Sequence, residues 1–291
     1  MSDVVRTTGH AEEWRPSTLQ EGRLEYRRRR ALRRGATAAV STVVVLALLG
    51  ILVVTAPGWE RVQQTYFDVG YARDVFPELA RAFVLNIKLF LVAEVFILVV
   101  ALVVAIIRVV PSPAMAPLKL LAIIYTDVFR GTPTLLVIFL VCFGIPALDL
   151  QGTPTSIFWL GVIALTLSYG AYVAEVVRAG IASVHPSQWA AARSLGLSYQ
   201  RSLRHVVLPQ AIRRVMPPLL NDFVSLQKDT ALVSTAGLVE ILRQAQIDSS
   251  RDFNFTAYVV AALFFVVVTV PLARLADWLA LRQLRREQGA A

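Results

Sequence analysis

Five polar or ionisable residues, Asn221, Asp222, Ser225, Lys228 and Asp229, interrupt an apolar stretch at 217–237. Helical spacing puts 221, 225 and 228 on one face and 222, 225 and 229 on an overlapping one. Ionisable groups inside apolar segments are costly and as a rule face a cavity or a partner. Both charge signs on one face suit a path for a small solute that itself carries both signs. Joining two subunits or bracing a neighbouring loop is the competing, structural use of the same stripe. Asn86 and Lys88, inside another apolar stretch, are further path candidates. Two pairs at i,i+3, Glu175 with Arg178 and Asp127 with Arg130, have the spacing of intrahelical ion pairs and read as structural braces.

Covalent chemistry finds no such support. His10, His185 and His205 lack metal-ligand spacing. The single cysteine, Cys142, sits in an apolar run, where a thiol acts as a small hydrophobe, and it has no second cysteine to pair with. No paired-histidine helix motif and no nucleophile elbow occurs. No GxxxxGK[ST] loop is present, and none of the three lysines, Lys88, Lys119 and Lys228, follows a glycine-rich turn. The sequence therefore predicts no catalytic residue, no metal and no cofactor in this chain.

The elements that would carry the stripe are membrane spans. Of 291 residues, 56% are hydrophobic and 17% charged, against about 25% charged in an ordinary soluble chain. Mean hydropathy is +0.60. Such a composition excludes disorder and predicts an all-α polytopic membrane protein. Six spans are expected, at 35–59, 79–107, 121–146, 157–179, 217–237 and 256–273. The first follows an Arg-rich tail over 1–34, and its uncharged stretch exceeds a secretory h-region, which favours a retained helix over a cleaved signal. Basic segments at 1–34, 108–119, 178–214 and 274–291 alternate with near-neutral or acidic ones at 56–78, 147–156 and 240–254. The excess of cationic residues in alternate loops places both termini in the cytoplasm. It also accounts for the net charge of +9 without any nucleic-acid partner.

Segment 178–214 breaks the pattern of short loops. It holds six arginines and no acid. It reads as a helix at 187–195 with Ser187 as N-cap, a stop at Gly196, and a second helix at 199–207 capped by Ser198 and closed by Pro209. Its alanines give the first helix a smooth side that can lie in a partner's groove.

The run Gln188-Trp189-Ala190-Ala191-Ala192-Arg193-Ser194-Leu195-Gly196-Leu197-Ser198, with Val207-Leu208-Pro209-Gln210 after it, resembles the EAA loop of importer-type ABC transporter permeases, the polar amino acid uptake subgroup above all. Four more blocks match in order: Phe129 to Pro133, Gly170 to Glu175 with Arg178 to Ile181, Pro217 to Phe223, and Ser225 to Thr230. The resemblance covers about 77–280. It implies that this loop, over 181–214, is the coupling element that docks in a cleft of a cytoplasmic ATPase, with Gln188 to Arg193, Leu195, Gly196, Leu197 and Pro209 in the docking unit. The family's namesake Glu falls at Ala190, so an acid–base pair across that interface is missing here.

The resemblance further implies a permease core of five helices over 77–280, preceded by one added helix over 35–59 and followed by a basic tail over 281–291. Expected partners are two ABC ATPase subunits, which hold the ATP and Mg, a second permease (identical or related), an extracellular solute-binding protein and the membrane lipid. The expected work is alternating-access import of a polar amino acid, with Asn221, Asp222, Ser225, Lys228, Asp229, Asn86 and Lys88 as path candidates. An opine or a sulfur amino acid is an alternative cargo. An ion-coupled secondary transporter is an alternative mechanism, but one with no use for a docking loop.

Overall fold

The computed structural model describes residues 18–149 and 151–288, and among them every regular element is helical. The expected tail over 1–34 and the one over 281–291 lie partly outside the described residues. The chain divides into two units, 1–62 and 63–291. The first contains helix α1 (Thr18–Val54), whose stretch Leu32–Val54 is long and apolar enough to cross a bilayer.

The second unit carries the functional segments. Helix α2 (Trp59–Tyr66) leads into α3 (Val69–Val109), so much of the stretch expected as a polar loop at 56–78 is helical. Asp68 is the reason: its carboxylate accepts from the Tyr71 N–H at 3.0 Å and starts α3 ten residues early. The end of α2 is tied down by Phe255, whose N–H donates to the Thr65 carbonyl at 2.7 Å and whose ring stacks on Tyr66.

Helix α4 (Ala116–Gly131) and the segment that follows it do not form the straight third span expected at 121–146. Pro133 removes an amide donor, and the axis turns by 108° between Pro113–Gly131 and Thr134–Ala147. The second arm consists of α5 (Thr134–Phe139), a π turn (Leu140–Gly144) and α6 (Ile145–Ala147).

Helix α7 (Ile157–Ala182) is the axis of the unit. Leu160, Leu165, Val173 and Ala174 are buried with Leu89, Ile97, Ile138 and Leu226 in the largest apolar core. Without a hydrophobic drive between helices in lipid, close backbone approach supplies the packing. Gly170 allows it, since a Cβ there would lie 2.8 Å from the Tyr125 hydroxyl and 3.2 Å from a Val100 methyl.

After α7 come α8 (Pro186–Ser194), α9 (Tyr199–Ser202), a π turn (Leu203–Val207) and α10 (Leu208–Asp229). Pro209 does not close the second helix, as expected from sequence. The π turn shifts the hydrogen-bond register just before it, Leu208 N–H bonding to the Leu203 carbonyl, and the chain passes straight on. A 3₁₀ segment (Thr230–Ala236) follows. Then come α11 (Ile241–Asp252) and α12 (Thr256–Gln288). A second core joins α3, α11 and α12 through Leu79, Phe83, Ile241, Ala245 and Ala257.

Among the described residues, four stretches have the length and apolarity of spans: Leu32–Val54, Trp59–Val109, Ile157–Ala182 and Thr256–Arg282, or five with the bent pair. The stretch expected at 217–237 is helical, but its polar residues keep it below that threshold of apolarity.

Candidate functional site

The loop after α7 is a built surface. Helix α8 is capped by His185 rather than Ser187, the imidazole accepting from the Ser187 N–H. It ends on Gly196 at φ +76°, a left-handed turn with the Leu197 N–H on the Ala192 carbonyl at 3.2 Å. Trp189 and Ala192 point inward. The Trp189 ring stacks on Tyr199 with centroids 5.0 Å apart, and Trp189 packs beside a small core of Val184, Val207 and Ala211. Gln188, Ala190, Ala191, Arg193 and Leu195 point outward, and Leu195 is 82% exposed, an unusual cost for a leucine beside a polar loop. Pro209 lies at the start of α10 and Leu197 is half-buried.

The loop is fastened to three helices. Gln210 of α10 donates to the Gln188 side chain at 3.3 Å, and Arg214 reaches back to the Ser183 carbonyl and hydroxyl. Tyr199 donates to the Val109 carbonyl at the end of α3 at 3.4 Å. At Gly180 a Cβ would collide with Val215 of α10.

An ion cluster stands directly above. Glu175 holds Arg178 at 2.6 Å through one oxygen and Arg108 of α3 at 2.6 Å through the other. Arg108 also donates to Thr126 of α4 at 3.1 Å. Asp127 and Arg130 do not pair. Asp127 is exposed, and the Arg130 guanidinium lies over the Tyr172 ring instead, 6.0 Å from its centroid.

The polar stripe of α10 faces α3 and α7 in part. Tyr169 of α7 donates to Asp229 at 2.6 Å, and the Asp222 carboxylate lies close enough to feel Glu94 of α3 and Tyr169. One Asp222 oxygen is buried with no hydrogen-bond partner, an arrangement that leaves it able to accept from a donor brought in from outside. Ser225 is half-buried on the same side, whereas Asn221, Lys228 and Lys88 are exposed. Asn86 is closed off. It is 1% exposed, and its amide donates to Glu240 at 2.6 Å while its carbonyl accepts from the Ile241 N–H at 3.1 Å. A residue with every polar atom engaged in this way lines no open path.

The fold that carries this loop and stripe is found in known proteins. The family model for the binding-protein-dependent transport system inner membrane component matches residues 98–285. The chain belongs to that family. The permease is 35% identical over 213 residues to a probable amino-acid ABC transporter permease protein, PatM, of Vibrio harveyi, covering 73% of this chain and 94% of the relative. It is 34% identical over 216 residues to the L-cystine transport system permease protein TcyB of Bacillus subtilis, covering 74% and 86%. Its fold matches a chain in the crystal structure of an amino acid ABC transporter with histidines at TM-score 0.68 and 33% identity, covering 74% of this chain and 98% of that one. It is thus a membrane-embedded subunit of an ABC importer, a transport component and not an enzyme.

Sequence reasoning about the permease missed three groups: Glu94, Tyr169 and Arg108. Each acts through a partner on a distant helix, Arg108 and Glu175 being 67 residues apart. Only the cost of Glu94 within an apolar run was a signal that could have found one of them.

Proposed function

We propose that this permease carries a polar amino acid into the cytoplasm by alternating access, driven by a separate ATPase. Support comes from two sides: relatives named for amino-acid transport, and a loop whose exposed face consists of small residues, an arginine and a leucine. In this reading α8 docks in the ATPase cleft through Gln188, Ala190, Ala191, Arg193 and Leu195. Trp189, Ala192, Gly196, Leu197 and Pro209 hold it in shape. Two ATPase chains bind the ATP and Mg. Their closure moves α8, and the movement passes to α3, α7 and α10 through the contacts at Val109, Ser183 and Val215.

The proposed topology has six spans, α10 with its 3₁₀ extension counted despite its polarity and α1 as the added first one, with both termini cytoplasmic by the distribution of arginines. Residues 1–34 and 281–291 are then cytoplasmic tails, and 77–280 forms the transport core. Asp222, Ser225 and Asp229 line the path with Glu94, and Asn221 and Lys228 flank it. A second permease completes the pathway, and an extracellular solute-binding protein delivers the cargo. A sulfur amino acid is the second reading, favoured by the cystine-transport relative.

The test is co-purification of the tagged chain from its own membranes, wild type beside Gly196→Asp. The expected result is an ATPase that accompanies wild type and is lost from the variant, since an acid side chain at φ +76° strains the turn. Failure of any ATPase to accompany wild type, in conditions that keep a known importer intact, would overturn the coupling assignment.

A further inference from the structure

Beyond the stripe, the 3₁₀ segment, α11 and α12 line an open-mouthed cavity of about 410 Å³, within the roughly 300–1,000 Å³ usual for small-molecule sites. Its chemistry is sorted by wall. From α11, Arg243 and Gln246 line it. Arg243 is half-buried, and among the described residues no carboxylate pairs with its guanidinium. That group donates instead to the Gln246 side-chain oxygen at 2.6 Å. The bond occupies the oxygen of Gln246 and leaves its NH₂ free, so this wall presents donors and one positive charge.

The 3₁₀ segment contributes Ser234 and Thr235. Ser234 donates its hydroxyl hydrogen to the Ala231 carbonyl at 2.6 Å, and Thr235 donates to the Leu232 carbonyl at 2.6 Å. With the hydrogens spent, both oxygens offer only lone pairs, so this wall presents acceptors. Leu242 and Tyr258 add apolar surface, and no acidic side chain is among the lining residues.

A ligand that fits carries a carboxylate for the donor wall and an ammonium for the acceptor wall on neighbouring atoms. A simple anion leaves the hydroxyls unused, and a simple cation meets Arg243. We infer that this cavity receives the zwitterionic head group of a free amino acid, with a neutral side chain directed to Leu242 and Tyr258. The inference rests on the amino-acid reading above and deepens it. In the proposed topology the cavity lies on the outer side, so the cargo meets it before it reaches Asp222. The absence of an acidic lining residue makes it a filter against lysine and arginine.

The experiment uses the full chain in phosphatidylcholine nanodiscs. Ligand-observed saturation-transfer NMR is run with glutamine, asparagine, serine and threonine, with lysine, and with the decarboxylated and the deaminated forms of the tightest binder. Expected is binding of a neutral zwitterion, with both edited forms and lysine weaker by about tenfold or more, the loss that follows removal of a charge-assisted contact. Arg243→Gln and Thr235→Val should each weaken it similarly. Arg251→Gln, which removes an exposed charge from the same helix, should not. Binding that survives Arg243→Gln, edited forms that bind as well as the parent, or no binding to wild type would overturn the inference. Uptake by cells carrying the whole transporter separates the two readings. Amino-acid uptake without Arg243-dependent binding overturns the cavity alone, whereas uptake of no amino acid overturns the amino-acid reading and the cavity with it.

Discussion

Arg108 of α3 and Arg178 of α7 share one carboxylate, Glu175, each at 2.6 Å. The shared acid ties α3 to α7 just above the loop that follows α7, and Thr126 adds α4 through Arg108. Glu175→Gln removes the only anion of the cluster and leaves two guanidinium groups facing a neutral amide. The expected cost is about 3 kcal/mol, the scale for breaking a largely buried pair from one side. Arg108→Gln should cost less, because Arg178 remains on the carboxylate. Thermal unfolding in detergent, with the double mutant to close the cycle, measures both. A midpoint unchanged in Glu175→Gln would show that the cluster is no clamp.

Gly180 sits where a Cβ would run into the Val215 side chain of α10. Gly180→Ala should therefore force α7 and α10 apart at the root of the loop, at a cost of about 1–3 kcal/mol for overpacking. Val215→Ala made in the same chain should restore most of the loss, since it removes the opposing methyl groups. Unfolding midpoints of the single and double variants check this. A double variant no better than Gly180→Ala alone would place the cause elsewhere.

The helix after α7 and its glycine stop were legible in the sequence because a left-handed turn at glycine is local chemistry, whereas the cap was read two residues late, at Ser187 instead of His185, because an imidazole is an uncommon capping group. The spans of α3, α7 and α12 were legible because apolar length is additive along the chain. The bend at Thr132 and Pro133 was not, since hydropathy stays high across it and only backbone geometry distinguishes one span from two arms. Pro209 was misread for a related reason: a proline marks a helix stop unless the preceding turn changes register, and nothing in Leu203 to Val207 announces a π turn. The site's long-range partners were also silent. Asn86 reads as a polar residue in a span, and its meaning depends on Glu240, 154 residues away.

That Asn86–Glu240 contact carries the third prediction. Glu240 is fully buried, and it accepts from the Asn86 amide and from the Arg243 N–H, so it is both an interhelical link and the N-cap of α11. Asn86→Leu strips a donor from a buried carboxylate and orphans the Ile241 N–H. The expected loss is about 3 kcal/mol, with faster amide hydrogen exchange concentrated at the start of α11. Exchange accelerated evenly over the whole chain would argue against a local lock.

Asp248 of α11 yields a pH dependence of definite sign. Burial is the main cause that raises its pKa, with Glu78 and Asp252 adding repulsion, while the Gln244 amide at 3.0 Å and Arg251 oppose the shift. The folded chain therefore holds this proton more tightly than the unfolded chain, whose aspartates titrate near about 3.9. Stability attributable to Asp248 falls as pH rises through the window between that value and the raised one, and above it the penalty is constant and complete. Asp248→Asn keeps the Oδ1 acceptor for Gln244 and carries no charge at any pH. It should raise the unfolding midpoint at pH 7 to 8 relative to wild type. The two midpoints should converge as the pH is lowered through the window. A variant that is less stable at neutral pH would mean that the ionised carboxylate is stabilised by an interaction stronger than its desolvation.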